Sequence, residues 1–151
     1  MGELLELVTP LHQSTTRDYV ERMMDDKVYC MGVAQHYGSE YWDGDRRFGY
    51  GGYQFIPGRW QPVAEAIIDR YQLSGDSSVL DVGCGKGFLL YELKKLLPDA
   101  TVVGIDISRH ALENAKEEVK DCIVMQKAQD KYPFDDNEFD LVYTNTTLHN
   151  L

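Results

Sequence analysis

Apolar side chains recur along this chain in two periods, and the switches between them mark out its elements. From Pro62, which is tolerated in the first turn of a helix, Val63, Ala66, Ile67 and Tyr71 fall on one helical face. The turn Ser74-Gly75-Asp76-Ser77-Ser78 ends that pattern, and Val79-Leu80-Asp81-Val82 follows as a short, β-branched-rich apolar run. Such a run predicts a strand buried on both faces, as in a parallel sheet. A helix is predicted from Phe88 to Leu97, stopped by Pro98-Asp99, and then a second strand from Thr101 to Asp106. Ser108 is placed to cap a helix carrying Ala111, Leu112, Ala115 and Val119. Cys122 to Met125 reads as a third strand and Phe139 to Tyr143 as a fourth. The predicted class is α/β, with strands and helices alternating around a parallel sheet.

Candidate chemistry gathers where the first strand meets its helix. Val82 runs into Gly83-Cys84-Gly85-Lys86-Gly87, and glycines there let the backbone turn tightly and approach a ligand that a Cβ would hold off. The next helix aims its N-terminal amides at the same place, so a nucleotide-like ligand is expected at the carboxyl end of this strand. The spacing departs from the dinucleotide fingerprint, which needs a glycine where Phe88 stands. It departs also from the P-loop, which needs Ser or Thr where Gly87 follows Lys86. A tight strand-to-helix turn with no ligand is the plainer alternative. Asp106 ends the second predicted strand nineteen residues after Gly87, beside the crevice, where a carboxylate accepts both ribose hydroxyls of a nucleoside. The plainer reading of Asp106 is a residue at the start of the following helix.

Composition and charge narrow the classes. A length of 151 residues suits one domain with a real core, and 43% hydrophobic with 26% charged residues suits a globular chain. No apolar run is long enough to span a bilayer, so no membrane partner is expected. Met1 to Leu7 places acids inside its apolar pattern with no basic flank, unlike a secretory leader, and a cytoplasmic location is expected. The net charge of −10, with Arg46-Arg47 the only basic pair outside the helices, argues against nucleic acid as a partner. Three cysteines without CxxC spacing indicate neither a disulfide framework nor a metal site. Cys84 reads as a small residue suited to a tight turn rather than as a reactive thiol.

The pattern Asp81-x-Gly83-x-Gly85-x-Gly87 resembles motif I of the class I S-adenosylmethionine-dependent methyltransferases. The run from Tyr132-Pro133-Phe134 through Phe139-Asp140-Leu141-Val142 is similar to the Leu-Pro-Phe-x-Asp-x-x-Phe-Asp-x-Val segment of their small-molecule branch. The likeness covers roughly residues 60–151. It implies a Rossmann-like parallel sheet of order 3-2-1-4, the cofactor-binding half of that fold, with S-adenosylmethionine as cofactor and S-adenosylhomocysteine as product. The domain it implies is 59–151, truncated after strand four, behind a helical and irregular extension at 1–58. It places Asp81, Gly83, Cys84, Gly85 and Gly87 at the cofactor, Asp106 at the ribose and Ile107 against the adenine. Where the family holds the adenine amino group with an acid, this chain has Lys127 or Ala128, so the Ala128 amide or the Gln129 side chain is expected to substitute. Asn145 should emerge beside the cofactor's methyl group, with His149 nearby as a general base at neutral pH. Histidine there is not always catalytic in the family. Arg59 either meets the methionine carboxylate of the cofactor or is a surface arginine.

The extension is less regular. A short helix is predicted from Thr16 to about Asp26, with Val20, Met23 and Met24 on one face. Gln35 to Tyr53 then packs five glycines among Tyr, Trp and Phe, which predicts a set of turns rather than a helix. These rings either close as a lid over a ligand, including a sulfonium that favours aromatic faces, or form a strap over the apolar flank. The expected function is methyl transfer from S-adenosylmethionine to a small-molecule acceptor by a piece of a longer enzyme. The alternative is a non-catalytic module that binds S-adenosylmethionine or S-adenosylhomocysteine, with an NAD-dependent oxidoreductase a distant third. The outer edge of strand four is expected either to support self-association or to lie under the aromatic segment.

Overall fold

The computed structural model describes residues 2–14 and 26–148. The helix expected from Thr16 falls, but for Asp26, outside the described residues, and so does His149. Four parallel strands, β1 (Ser78–Val82), β2 (Thr101–Asp106), β3 (Ile123–Met125) and β4 (Leu141–Thr144), form one sheet of order β3-β2-β1-β4. This is the expected α/β, Rossmann-like arrangement. Val79 lies between Val102 and Leu141, and Asp81 between Gly104 and Tyr143, so alternate residues of each strand face one side of the sheet.

Among the described residues the α-helices are α1 (Thr9–Gln13), α2 (Lys27–Ala34), α3 (Ser39–Trp42), α4 (Gln61–Tyr71), α5 (Phe88–Leu96) and α6 (Arg109–Glu113). Pro62 occupies the first turn of α4, and Gln72 closes it in the left-handed region at φ 52°. On one side of the sheet Val63, Ala64 and Ile67 of α4 pack with Leu89, Leu90 and Leu93 of α5 against Val79 and Val102. On the other side Leu80, Val82 and Ile105 are buried under Ala128, Tyr132, Phe134 and Phe139, which come from connecting chain rather than a helix. Near the outer margin of that second face Val142 of β4 stays 54% exposed.

Three boundaries differ from the sequence pattern. The helix capped by Ser108 stops at Glu113, and Val119 is buried instead from a 3-10 helix, Glu117–Cys122. The Lys116 amide donates to the Lys86 carbonyl at 2.9 Å, tying that second piece to the glycine turn, a contact helical periodicity does not encode. Cys122 therefore ends the 3-10 helix and β3 starts at Ile123. β4 starts at Leu141, because the Asp140 carboxylate accepts from both the Ser78 amide (2.8 Å) and hydroxyl (3.0 Å), while Phe139 turns into the second core. The aromatic segment likewise includes one true helical turn, α3, before it becomes irregular.

The distance from α5 to β2 is set by Gly104. A Cβ there would lie 2.5 Å from Leu90 Cδ1 and 2.6 Å from Cys84 Sγ, and both neighbours are locked in the core. Gly104→Ala is expected to cost about 1–3 kcal/mol by overpacking. The urea midpoint measures it, and a variant as stable as the parent would show that α5 has room to move.

Candidate functional site

The glycine turn is held open by one carboxylate. Gly83, Gly85 and Gly87 all have positive φ, at 82°, 57° and 71°. The Gly83 and Cys84 amides donate to the Ile105 carbonyl at 2.8 and 3.1 Å. Asp106 Oδ2 accepts from the Gly85 amide and Oδ1 from the Ser108 amide, both at 2.8 Å. One side chain, 8% exposed, thus fastens the turn after β1 to the start of α6. Burial raises its pKa above the ordinary carboxylate value, and the hydrogen bonds from Ser108 and Gly85 offset part of that. The glycines differ in what they approach. A Cβ on Gly83 would strike Thr147 and one on Gly85 would lie 2.8 Å from the Trp42 ring, whereas one on Gly87 would meet Ile123 and Val119 of the core.

The segment 37–53 closes over this turn. The Trp42 indole N–H donates to Ser108 Oγ at 2.8 Å and to the Tyr37 carbonyl at 3.1 Å, and the ring is 6% exposed. Tyr41 meets Tyr37, Trp42 and Tyr50 edge to face, at interplanar angles of 84°, 85° and 81°. Tyr53 stacks on Phe88 of α5. An ionic latch pins the segment: Lys86 Nζ reaches Asp43 Oδ1 at 2.7 Å and Oδ2 at 2.8 Å and the Tyr53 carbonyl at 2.9 Å. His110 Nε2 meets Asp43 Oδ2 at 2.7 Å. Partial desolvation pushes the Asp43 pKa up, but the bonds from His110 and Lys86 outweigh it and hold it below its ordinary value. Lys86, which sequence reasoning treated only as a failed P-loop lysine, faces this segment.

Between the segment and the sheet end lies a narrow cleft that opens to solvent. Tyr37, Tyr41, Trp42 and Tyr50 form one wall, and Gly83, Ile105, Asp106 and Ile107 form the floor. Gln126, Ala128 and Gln129 close one end and Asn145, Thr146 and Thr147 the other. Of the residues singled out in the sequence, Gly83, Asp106, Ile107, Ala128, Gln129 and Asn145 are brought together here. Cys84 is turned into the α5–β2 packing, and burial raises its pKa well above that of an ordinary thiol. Gly85 lies under Trp42, Gly87 packs on the core, and Arg59 stands in the turn before α4, none of them lining the cleft. The aromatic wall was legible as a glycine-rich, ring-rich stretch. Thr147 and Gln126 carried no signal beyond their neighbours.

Beneath the turn Asp81 is 4% exposed; its Oδ2 accepts from the Tyr143 hydroxyl at 3.0 Å, and its Oδ1 has no hydrogen-bond partner among the described residues. Burial pushes its pKa to about 7, the Tyr143 hydrogen bond pulls it down, and the Asp106 charge adds to the rise.

A family model described as a methyltransferase domain matches residues 73–151. The chain belongs to this methyltransferase family. Among curated relatives of this family member, the malonyl-[acyl-carrier protein] O-methyltransferase of Legionella pneumophila is 38% identical over 74 residues, covering 47% of this chain and 26% of the relative. The mitochondrial arginine-hydroxylase NDUFAF5 of Mus musculus is 33% identical over 91 residues, covering 59% of this chain and 26% of the relative. An S-adenosyl-L-methionine-dependent methyltransferase structure from Methanococcus maripaludis superposes with TM-score 0.50 at 27% identity, over 60% of this chain and 43% of that one. The methyltransferase-family chain thus spans about a quarter of the length of those two curated relatives.

Two outcomes follow from the charges. Asp43→Ala strands the Lys86 ammonium, whose side chain is 3% exposed, and is expected to cost about 3–5 kcal/mol. Lys86→Met leaves Asp43 with His110 and solvent at 28% exposure and is expected to cost less. Equal urea midpoints for the two would show that the freed lysine reaches water. For Asp81, the folded pKa of about 7 lies above the reference 3.8, so its contribution to stability is present at low pH and is lost as pH rises through 7. Relative to Asp81→Asn, the parent chain is expected to lose stability between pH 4.5 and 8, read from paired urea titrations; a constant difference would place Asp81 in a polar, ionising environment.

Proposed function

We propose that the cleft binds S-adenosylmethionine and that the whole protein transfers its methyl group to a small-molecule acceptor. The observation that carries this is Asp106, a buried carboxylate at the end of β2, on the cleft floor beside a turn of positive-φ glycines. Each of its oxygens accepts one backbone amide and keeps a further lone pair, so the two together suit a ribose diol. The residues present also fit the rest of the group. Ile107, 45% exposed at the cleft, offers an apolar surface to the adenine, and the Ala128 amide or the Gln129 side chain takes its amino group. The unpartnered, buried Asp81 Oδ1 suits a ligand ammonium, whose approach would draw the proton from this carboxyl. Gly83, Cys84, Gly85 and Gly87 shape the turn, Asn145 marks the end from which an acceptor approaches, and Arg59, which stands off the cleft lining, has no part in this reading.

S-adenosylmethionine, when bound, supplies an electrophilic methyl group. The chain's own work is to hold the reactants close and aligned and to exclude water under the aromatic wall. His149 is the proposed base where the acceptor must lose a proton. In this reading 59–151 is the cofactor-binding domain and 1–58 an extension that completes the cleft. The protein works in the cytoplasm, without nucleic acid or membrane, and the β4 edge offers a surface for self-association. Among the described residues no helix is long and apolar enough to cross a membrane. A non-catalytic module that binds the cofactor or its product is the second reading. The relative named as a hydroxylase favours testing the chemistry directly, and transfer of a labelled methyl group to any acceptor excludes this second reading.

Asp106→Ala is expected to weaken S-adenosylmethionine binding by about 2–3 kcal/mol, the scale of charge-assisted hydrogen bonds. Calorimetric titration measures it, and circular dichroism verifies the fold, because Asp106 also ties the glycine turn. Unchanged affinity in a folded variant would remove the assignment.

A further inference from the structure

Two adjacent residues of the covering segment grip two adjacent residues of the glycine turn. The Trp42 ring lies on Gly85, where a Cβ would come within 2.8 Å of its Cη2, and Asp43 holds Lys86 Nζ at 2.7 and 2.8 Å. At Gly83 the space a Cβ would need is filled by Thr147. The approaches that these two positive-φ glycines leave open are thus occupied by the chain's own side chains. The rings of the segment also fill one another's spaces, since Trp42 meets Tyr41 and Tyr50 at 5.2 Å and Tyr53 at 5.4 Å between centroids.

The hydrogen bonds around Trp42 survive its departure. Its indole N–H donates to Ser108 Oγ and to the Tyr37 carbonyl, and the Ser108 hydroxyl donates to that same carbonyl at 2.5 Å. Ser108 Oγ accepts from the Ala111 amide as well. Lifting the indole therefore costs the packing of one ring but leaves neither acceptor without a partner. Pivots flank the ring on both sides, with Tyr37 at φ 47° next to Gly38, and Gly51 and Gly52 at 70° and 96°. A Cβ on Gly38 or Gly52 would meet nothing within 4 Å, so neighbouring atoms do not clamp either pivot.

We infer that Trp42 is an autoinhibitory stopper, which occupies the approach to the Gly85 turn so that a ligand gains the turn only by displacing it. The Lys86–Asp43–His110 latch positions the ring there. The inference rests on the proposal that the cleft binds S-adenosylmethionine, and adds a closed form of the chain that competes with the ligand. A fixed wall adds to affinity through its contacts. A stopper lowers it, because the observed affinity is scaled by the fraction of chains that are open. Loosening the segment therefore weakens binding in the first case and tightens it in the second.

Two tryptophans give the chain two indole N–H resonances, and Trp42→Phe identifies the one from Trp42. When the full chain is saturated with S-adenosylhomocysteine, that resonance is expected to shift and to exchange faster with water as the bond to Ser108 is lost. In calorimetry Trp42→Phe removes the indole donor, and Lys86→Met removes the latch from a position outside the cleft lining. Each variant is expected to bind S-adenosylhomocysteine about 3- to 10-fold tighter than the parent, the range of one lost hydrogen bond in the closed form. An indole N–H that stays protected in the saturated parent, or equal or weaker binding by folded Lys86→Met, would overturn the inference and leave the cofactor proposal standing. Absence of binding by the parent and both variants, to S-adenosylmethionine as well as S-adenosylhomocysteine, would remove the cofactor proposal and the inference with it.

Discussion

The Asp106 carboxylate is the joint on which this site hangs. Its oxygens receive the Gly85 and Ser108 amides, and the Ser108 hydroxyl in turn caps α6 through Ala111, donates to the Tyr37 carbonyl and accepts from the Trp42 indole. One buried anion thereby couples the end of β2, the turn after β1, the start of α6 and the aromatic wall. Backbone amides orient such a charge well, because several partial charges converge on it without the entropy cost of mobile side chains. The neighbouring Asp81 has fewer partners and is correspondingly pushed towards its neutral form.

Placing two carboxylates under one turn is costly, and the chain spends no cation to neutralise them. Its buried lysine, Lys86, is turned outward to Asp43 and the Tyr53 carbonyl, where it secures the covering segment. Among the described residues the cleft is therefore lined by Asp106 and four aromatic rings, with no Lys, Arg or His.

The two faces of the sheet are unequal. One is sealed by α4 and α5 with Leu90 and Ala64 fully buried, and the other by connecting chain around Phe134 and Phe139. The cleft lies at the carboxyl ends of the strands and takes Ile105 and Ala128 from the second face, while on the first face Gly104 lets α5 come close and Phe88 carries the stacked Tyr53. The wall is held by hydrogen bonds and a latch rather than by a deep core, consistent with an element that admits a ligand.

By itself the sequence determined the strands and their order in the chain, the glycine turn and the acid at the end of β2, because apolar runs, positive-φ glycines and a strand-end carboxylate are local constraints that each residue's own chemistry expresses. It also supplied the rings of residues 37–53 but not their destination. Whether they form a lid or a strap depends on Trp42 meeting Ser108 and Asp43 meeting Lys86, contacts 66 and 43 residues apart in the chain. Likewise the three glycines of motif spacing are alike in sequence, and only the tertiary structure separates Gly83, which lines the cleft, from Gly87, which makes room for Val119 and Ile123. Long-range packing and the pairing of buried charges made those decisions, since neither leaves a period or a spacing that can be read along the chain.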